Sequence, residues 1–397
     1  MLSSNSLRCL NVSETHIGLN LVYMVPGETG GTEIVARELI PVMLALAPEG
    51  MRFTAFVNRE AARAGDGPWG HLLPSVTVPV HSRNRYQWVL GEQAFLPVLG
   101  ARARIKLMHS LANTAPLWGP FLRVVTVHDL IYALYPETHA GNRAQGLSVL
   151  VPQAIKHADR VMADSESTRK DLLEMTSARA ECVDVVPLGL GTVQRVQPVD
   201  EGELRAKFDL GQRPILLSLS AKRPHKNLLA LIGALARLSL QERPILILPG
   251  YATTHEAELR DRALSLGVEQ DVRFPAWLSD AELEGLWKIS RVFLFPSLYE
   301  GFGMPVLEAM SRGVPVACAD ASSLPEVVGD AALLFDPRSE DDIAAALQRL
   351  LENPALCEQL RIRGLEQAKL FTWERMAKGV LASYARALGT PAPAPPS

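Results

Sequence analysis

One segment of the chain restricts its fold more than any other, because a short apolar run leads through a glycine-containing loop into a helix. Residues 292–295 are apolar and are followed by Pro296, which predicts a buried strand. Gly301 and Gly303 come next, and glycine lets the main chain bend sharply and approach a ligand closely. A strand, a glycine loop and a helix in this order are typical of an α/β domain that binds a ligand where its strands end.

The start of the helix is the part of this segment that is predicted to bind an anion. Pro305 suits the first position of a helix, so we expect Met304 to be the N-cap and residues 306–312 to be helical. The backbone N–H groups of Phe302, Gly303 and Met304 would then lie at the positive end of the helix dipole. This arrangement binds phosphate without a metal ion.

Two carboxylates flank the loop, since Glu300 precedes Gly301 and Glu308 lies within the helix. Carboxylates repel phosphate but accept hydrogen bonds from hydroxyl groups, such as those of a ribose or a hexose. A ligand that carries phosphate, ribose and sugar is a nucleotide sugar, and the segment indicates a site for one. For the glycines alone, an ordinary helix start is the alternative.

The same order of strand, loop and helix recurs along the chain. The first instance after the N-terminus has Gly30 and Gly31 before a predicted helix at 32–47. This alternation predicts an α/β fold with doubly wound parallel sheets, and 397 residues are too many for one ordinary core, so we expect two domains. The predicted strands are 19–25, 51–57, 76–80, 106–109, 124–128, 161–163, 183–186, 214–219, 245–248, 272–274, 292–295, 314–319 and 331–335.

The stretch from Glu300 to Glu308 resembles the E-x7-E element of the retaining glycosyltransferases of family four, which have the GT-B fold. The resemblance extends over nearly the whole chain and implies two Rossmann-like domains that face each other across a cleft. It places an acceptor-side domain at 1–192, a linker at 193–211 and a nucleotide-sugar-binding domain at 212–371. A helix at 372–388 would return to the first domain, and the Pro-rich residues 389–397 are expected to be disordered.

The resemblance also implies roles for individual residues. His128, at the end of a predicted strand, would lie beside the transferred sugar and is expected, with Glu300, to be catalytic. Glu300 would hold sugar hydroxyls, and a nucleophilic role for it is the open alternative. Asp129 and Ser165 are acceptor-side or secondary candidates, although both residue types also cap turns and helices. Glu308 would bind the ribose, and the expected donor-binding residues are Lys226, Arg223, Gly301, Phe302, Gly303, Met304, Leu307, Glu308, Gly30 and Gly31.

A basic stretch precedes the helix predicted at 228–240. Lys222, Arg223 and Lys226 crowd positive charge at the end of a predicted strand, which favours an anion nearby. The stretch is similar to the family's R-x-x-K-N element, which binds phosphate, and a solvent-exposed basic turn is the alternative. In the commoner form the arginine stands five residues before the lysine, where this chain has Ala221, so the departure puts the role of Arg223 in doubt.

The donor's base and sugar are less clearly indicated. In the resembled family the loop after the strand at 272–274 holds the base, which makes Trp277 or Leu278 a candidate, with a core position as the alternative. The form of the basic stretch is similar to that of mannosyltransferases and related enzymes that use GDP-sugars. We therefore expect GDP-mannose first and a UDP-sugar second.

Several other classes of function are disfavoured. The 40 basic and 43 acidic residues give a net charge of −3, which argues against a general nucleic-acid-binding protein. The chain contains no D-x-D triplet, which disfavours a metal-dependent transferase, and no metal or cofactor is expected. It also lacks the G-x-G-x-x-G and Walker motifs, which disfavours nicotinamide dehydrogenases and P-loop enzymes.

The sequence thus predicts a retaining, metal-independent hexosyltransferase that moves a sugar from a nucleoside-diphosphate sugar to a hydroxyl acceptor. The expected acceptor is a glycan or glycolipid in the synthesis of cell-surface polysaccharide or lipopolysaccharide. Two alternatives stay open: a nucleotide-sugar epimerase or phosphorylase on the same fold, and a non-catalytic protein that binds sugar nucleotides.

The expected location is the cytoplasm. The chain shows no signal-peptide pattern, no disulfide-like cysteine spacing and no apolar run of the roughly 20 residues that a membrane-spanning helix needs. A basic region around a predicted helix leaves open a peripheral contact with anionic lipid on the inner face of the membrane, the alternative being an ordinary solvated helix face. Its residues are Arg83, Arg85, Arg102, Arg104 and Lys106, with Tyr86, Trp88 and Phe95.

Overall fold

The computed structural model describes residues 15–138, 143–190, 196–238, 243–251 and 253–390. Within these ranges the strands form two separate parallel sheets, of seven and six strands. Parallel pairing with helical crossovers confirms the predicted α/β class with two Rossmann-like sheets.

The N-terminal sheet has the strand order β3-β2-β1-β4-β5-β6-β7. Its strands are β1 (Thr15–Leu21), β2 (Met51–Val57), β3 (Ser75–Thr77), β4 (Leu107–Ser110), β5 (Leu122–Val127), β6 (Arg160–Ala163) and β7 (Val183–Val185). The helices of this half are α1 (Gly31–Leu46), α2 (Arg59–Ala64), α3 (Pro68–His71), α4 (Arg85–Leu90), α5 (Leu96–Arg102), α6 (Ile131–Leu134), α7 (Arg143–His157) and α8 (Glu166–Met175). A π-helical turn, Gly91–Phe95, joins α4 to α5.

The C-terminal sheet has the strand order β10-β9-β8-β11-β12-β13. Its strands are β8 (Ile215–Leu217), β9 (Ile245–Ile247), β10 (Val272–Arg273), β11 (Ser290–Phe295), β12 (Val316–Ala319) and β13 (Ala332–Phe335). The helices that follow β7 are α9 (Glu201–Lys207), α10 (Leu228–Arg237), α11 (His255–Ser265), α12 (Asp280–Ile289), α13 (Met304–Ser311), α14 (Leu324–Val328), α15 (Glu340–Glu352), α16 (Pro354–Ala368) and α17 (Trp373–Leu388).

The last helix, α17, lies on the N-terminal half of the molecule and packs against α1. The Tyr384 hydroxyl lies 2.6 Å from Nδ1 of His109, which is on β4. The Ser383 hydroxyl donates to Asp184 on β7 at 2.7 Å, and Arg386 pairs with the same carboxylate at 2.9 Å. These polar contacts and the apolar face of α17 fix the C-terminal helix to the first sheet.

Several predicted boundaries differ from the structure, and two of the differences have a clear local cause. The first strand was expected at 19–25, but β1 ends at Leu21, because the Val22 N–H bonds to the side chain of Asn20 and no longer to a neighbouring strand. Met304 is not the N-cap of α13, because Gly303 takes that position in a left-handed conformation with φ of 110°. Of the tail expected to be disordered at 389–397, Gly389 is the C-cap of α17 and Thr390 bonds to the Ala385 carbonyl, while 391–397 and part of the expected linker lie outside the described residues.

Candidate active site

The loop between β11 and α13 lies against the N-terminal half of the molecule. Gly301 is so close to this half that a Cβ atom on it would lie 1.8 Å from the His128 carbonyl oxygen. The left-handed Gly303 then directs the chain into α13, and a Cβ atom there would lie 2.7 Å from the Leu324 side chain. Glycine is therefore required at 301 by space and at 303 by both space and backbone conformation.

Lys226 and Glu300 form an ion pair inside this site. The Lys226 Nζ donates to Glu300 Oε1 at 2.6 Å, and both side chains are largely buried. The turn that carries Lys226, Pro224–Lys226, is joined to the loop because the Leu298 N–H donates to the His225 carbonyl at 2.8 Å. The structure thus brings two predicted site residues together, each neutralising the charge of the other.

Two serines that sequence reasoning missed hold the backbone of the Glu300 loop. The Glu300 N–H donates to the Ser322 hydroxyl at 2.8 Å, and the Ser323 hydroxyl lies 3.0 Å and 2.8 Å from the carbonyls of Glu300 and Phe302. Ser323 is the N-cap of α14 but makes no capping bond with its side chain. Adjacent serines before a helix predict a cap, and no local pattern indicates that they hold this loop.

His128 follows β5, and both of its ring nitrogens contact protein groups. Nδ1 lies 2.6 Å from the Asp164 carboxylate and Nε2 lies 2.7 Å from the Leu111 carbonyl, which requires a donor at Nε2. Burial alone would lower the pKa of His128, but the Asp164 carboxylate outweighs this and raises the pKa to about 9. Both ring nitrogens are therefore engaged by protein groups in this structure, and the expected catalytic role of His128 stays a prediction.

Asp129 and Ser165 both make the capping bonds that were the alternative to a binding role. The Asp129 carboxylate accepts the Ile131 N–H at 3.0 Å, and burial raises its pKa. Ser165 is the N-cap of α8 and accepts the Thr168 N–H at 3.0 Å. The Ser165 hydroxyl also lies 2.7 Å from the Gly301 carbonyl, so this residue contacts the site from the N-terminal half.

Glu308 projects from α13 a little more than one turn beyond the glycine loop. Its side chain is half-buried, and burial raises the pKa of the carboxyl group, while Arg312 acts in the opposite direction. Arg312 is itself paired with Glu284 at 3.0 Å and donates to the Glu308 carbonyl, also at 3.0 Å. The Glu308 carboxylate is a hydrogen-bond acceptor, and its expected contact with a ribose stays a prediction.

The three cations of the basic stretch separate in the structure. Lys222 is fully buried, donates to the Gly250 carbonyl at 2.7 Å and pairs with Glu256 at 3.2 Å. Burial lowers the pKa of Lys222, and the contact with Glu256 partly offsets this effect. Lys222 is thus a structural residue, whereas Arg223 is half-buried beside the turn that bears Lys226.

The remaining expected donor-binding residues differ in their exposure. Gly30 is the N-cap of α1 with φ of 74°, and a Cβ atom on Gly30 or Gly31 would meet nothing within 4 Å. Leu307 is fully buried in the core, so only its backbone is available to a ligand. Phe302 is also buried and packs edge-on against Phe371, with ring centres 5.7 Å apart, and Met304 is half-buried as the first residue of α13.

An exposed aromatic pair lies beyond the ends of β9 and β10. The rings of Tyr251 and Trp277 have their centres 5.7 Å apart, and the two residues are 59% and 73% exposed. Trp277 is therefore not a core residue, so the core position that was its alternative is excluded. Leu278 is half-buried. Exposed aromatic rings at strand ends suit a flat ligand such as a base.

Within the described ranges no group of three or more His, Cys, Asp or Glu side chains could hold a metal ion. No helix of the same ranges is both long and apolar enough to cross a membrane.

Comparison with known proteins identifies the family. Residues 29–193 match the model described as Glycosyltransferase Family 4, and residues 200–367 match that of Glycosyl transferases group 1. The chain is 31% identical over 265 residues to the O-antigen chain mannosyltransferase B of Escherichia coli, covering 66% of this chain and 69% of that protein. It is 30% identical over 284 residues to the serotype-specific mannosyltransferase WbdA of Escherichia coli, covering 68% of this chain but 34% of that longer protein.

A solved structure gives the same result for the fold. Anabaena Alr3699/HepE, determined in complex with UDP and glucose, superposes with a TM-score of 0.70 at 20% identity. The match covers 94% of this chain and 99% of that one, so it includes both sheets and the loops between them. The E-x7-E segment and the two Rossmann-like sheets thus agree with the family matches, and the chain belongs to the group 1 and family 4 glycosyltransferases with the GT-B fold.

Proposed function

We propose that this glycosyltransferase moves a sugar, with retention and without a metal ion, from a nucleoside-diphosphate sugar to a hydroxyl acceptor. The observation that carries the proposal is the Lys226–Glu300 ion pair beside the N-terminus of α13. A cation for the diphosphate and a carboxylate for sugar hydroxyls lie next to each other, and Glu308 is further along the same helix.

The diphosphate would bind where Lys226 and the first backbone N–H groups of α13 converge. Its charge would compete with Glu300 for the Lys226 ammonium, since the two are paired at 2.6 Å without a ligand. Release from Lys226 would free the Glu300 carboxylate to accept hydrogen bonds from the transferred sugar. Donor binding and sugar recognition would in this way depend on the same ion pair.

Retention would follow from attack on the face that the diphosphate leaves. The acceptor oxygen forms its bond to the anomeric carbon as the bond from that carbon to the phosphate oxygen breaks. The acceptor's proton passes to the departing phosphate oxygen, and the nucleoside diphosphate leaves. Lys226, Arg223 and the α13 N-terminus would stabilise the charge that develops on this leaving group.

His128 would act as a fixed cation and not as a proton-transfer group. Its two nitrogens are engaged by Asp164 and Leu111, and its pKa of about 9 keeps it protonated at neutral pH. A general base needs a free, unprotonated nitrogen within reach of the acceptor. The supported role is therefore to set the loop that faces Glu300.

The nucleoside would lie between Glu308, which would accept the ribose hydroxyls, and the Tyr251–Trp277 pair, which would contact the base. GDP-mannose is our first choice of donor, supported by the mannosyltransferase names of the two Escherichia coli relatives. A UDP-sugar is the second choice, supported by the UDP in the HepE structure.

A thermal-shift panel of GDP, UDP, ADP and CDP tests the donor, followed by transfer assays with the sugar forms of the best ligand. We expect GDP to raise the melting temperature most and the product to keep the donor's anomeric configuration by NMR. Stabilisation by UDP alone would select the second donor. Inversion, or trapping of a sugar covalently bound to Glu300, would contradict the proposed mechanism.

The acceptor would be a glycan or glycolipid of the cell surface, supported by the O-antigen relative. A contact with anionic lipid would bring the enzyme to such an acceptor from the cytoplasm. On α4, Tyr86 and Leu90 are exposed one turn apart, Val98 is exposed on α5, and Arg85 and Arg102 lie at the two ends of this segment. Exposed apolar groups with flanking arginines suit the surface of an anionic bilayer.

Sedimentation with vesicles tests this membrane contact. We expect binding to vesicles that contain phosphatidylglycerol at low salt, weak binding to neutral vesicles, and a clear loss in the double variant Tyr86→Ala, Leu90→Ala. Leu264→Ala, which removes an exposed leucine from α11, is the matched control. Failure to sediment with anionic vesicles at low salt would contradict the contact.

A further inference from the structure

Two buried hydroxyl groups of the N-terminal half reach across to the loop that carries Glu300. The Ser165 Oγ lies 2.7 Å from the Gly301 carbonyl oxygen, and the Thr168 Oγ1 lies 3.1 Å from the same atom. Both residues belong to the first turn of α8 and are almost completely shielded from solvent. One carbonyl of the glycine loop therefore bridges the two halves of the molecule.

A second contact joins the same helix to the C-terminal half. The two carboxylate oxygens of Glu326, on α14, accept the backbone N–H groups of Glu166 and Ser167 at 3.0 Å each. These N–H groups belong to the first turn of α8, which has no partners for them within the helix and favours negative charge. Glu326 thus supplies to α8 the groups that a helix start needs, but from the other half of the chain.

The Glu300 loop is held from its own half as well. Ser322 accepts the N–H of Glu300, and the Ser323 hydroxyl contacts the carbonyls of Glu300 and Phe302. Ser322 and Ser323 lie immediately before α14, the helix that bears Glu326. A short segment of the C-terminal half therefore fixes the loop and also reaches α8, so the two sets of contacts form together.

We propose that Ser165, Thr168 and Glu326 are positioning residues that couple closure of the cleft to the placement of Glu300. When the halves separate, the Gly301 carbonyl and the α8 N-terminus lose these partners. When they meet, the loop is clamped from both sides and Glu300 is fixed beside Lys226. The proposal rests on the proposed function, because it assigns Glu300 to the transferred sugar.

The clearest variant is Thr168→Val, which keeps the volume of the side chain and removes its hydroxyl, with Thr168→Ser as the rescue variant. Glu326→Gln tests the second contact at an exposed position, because a side-chain amide would place an N–H group against a backbone N–H group. Glu174→Gln, near the other end of α8, is the matched control. Melting temperatures show that each variant is folded.

Steady-state transfer and small-angle X-ray scattering are measured for every variant. We expect kcat to fall by about tenfold in Thr168→Val and Glu326→Gln, the size of one lost hydrogen bond to a buried or charged group. KM for the donor should change less than twofold, the radius of gyration without ligand should increase, and Thr168→Ser and Glu174→Gln should match the unsubstituted protein in both measurements.

The outcomes separate this inference from the proposed function. If the unsubstituted protein transfers no sugar from any donor, the proposed function fails. The radius of gyration of the variants would still show whether the contacts hold the two halves together. If transfer occurs and both variants keep the original kcat and radius of gyration, the coupling is refuted. A fall in kcat that Thr168→Ser does not restore would also overturn it, because the effect would then not come from the hydroxyl.

Discussion

The two glycine loops of the molecule share a pattern but differ in their surroundings. Each follows a strand, β1 or β11, and each leads into a helix, α1 or α13. A Cβ atom on Gly301 would lie 1.8 Å from a backbone oxygen of the other half, whereas one on Gly30 or Gly31 would meet nothing within 4 Å. The Gly301 loop is crowded by protein, and the Gly30–Gly31 loop faces open space.

This difference shows that the same glycine pattern can have two causes. At Gly301 the small residue permits contact between the two halves of the chain. At Gly31 neither space nor a left-handed backbone requires glycine, and close approach of a ligand there stays a prediction. The predictions below test the crowded loop first and the open loop last.

The largest expected effect comes from Gly301→Ala. A methyl group at this position cannot coexist with the His128 carbonyl, so the halves must move apart and Glu300 must shift with the loop. We expect transfer activity to fall by roughly 100-fold or more, as for a displacement of about 1 Å in a reacting site. Steady-state kinetics check this, and near-normal kcat would show that the crowded contact is not needed.

Glu300→Gln separates binding from transfer at the crowded loop. The amide cannot neutralise Lys226 as the carboxylate does, so the ammonium becomes more available to a diphosphate. We expect the product nucleotide to bind about tenfold more tightly, the worth of a hydrogen bond to a charged group, while kcat falls. Calorimetry and kinetics on one preparation measure both, and equal weakening of binding and kcat would contradict the role of the ion pair.

The His128–Asp164 pair, beside the Gly301 loop, predicts that the free energy of unfolding of the protein depends on pH. The pKa of His128 is raised from 6.5 to about 9, so the pair stabilises fully below about pH 6.5 and loses its contribution as pH rises through 9. The shift corresponds to roughly 3 kcal/mol at most. Melting curves of the unsubstituted protein and Asp164→Asn should converge at high pH, and a constant difference between pH 6 and 10 would contradict the assignment.

The smallest structural effect is expected for Gly31→Ala in the open loop. Nothing within 4 Å opposes the new methyl group, so the free energy of unfolding should change by less than about 0.5 kcal/mol. Gly30→Ala should cost about 1–3 kcal/mol, because its φ of 74° with ψ of −138° lies in a region that residues other than glycine rarely adopt. Urea unfolding measures both, and reduced transfer by a fully stable Gly31→Ala variant would indicate that a ligand approaches this loop.

Much of the fold could be predicted from local sequence patterns, because apolar runs and glycine loops indicate strands and the turns that follow them. The two Rossmann-like sheets were predicted in this way. The family resemblance of the two motifs placed Lys226 and Glu300 in the same expected donor site. The features that local pattern could not indicate depend on contacts between distant residues. Lys222 turns into the core towards Glu256, and His128 has both nitrogens engaged by Asp164 and Leu111.

The end of β1 shows the same limit at the level of secondary structure. The apolar residues after Leu21 continue the strand pattern, but the Asn20 side chain takes the Val22 N–H and the chain leaves the sheet. These residues are largely buried without being paired in the sheet. Hydrophobicity predicted their burial correctly and their secondary structure wrongly.

The most direct test of the whole account is isothermal titration of the preferred nucleoside diphosphate into the unsubstituted protein, Lys226→Ala and Glu308→Ala. Lys207→Ala, which removes an exposed lysine paired with Glu282, is the control. We predict that affinity falls at least about tenfold in both site variants, each of which loses a hydrogen bond to a charged group, and is unchanged in the control. Unchanged affinity in both Lys226→Ala and Glu308→Ala would contradict the donor site described above.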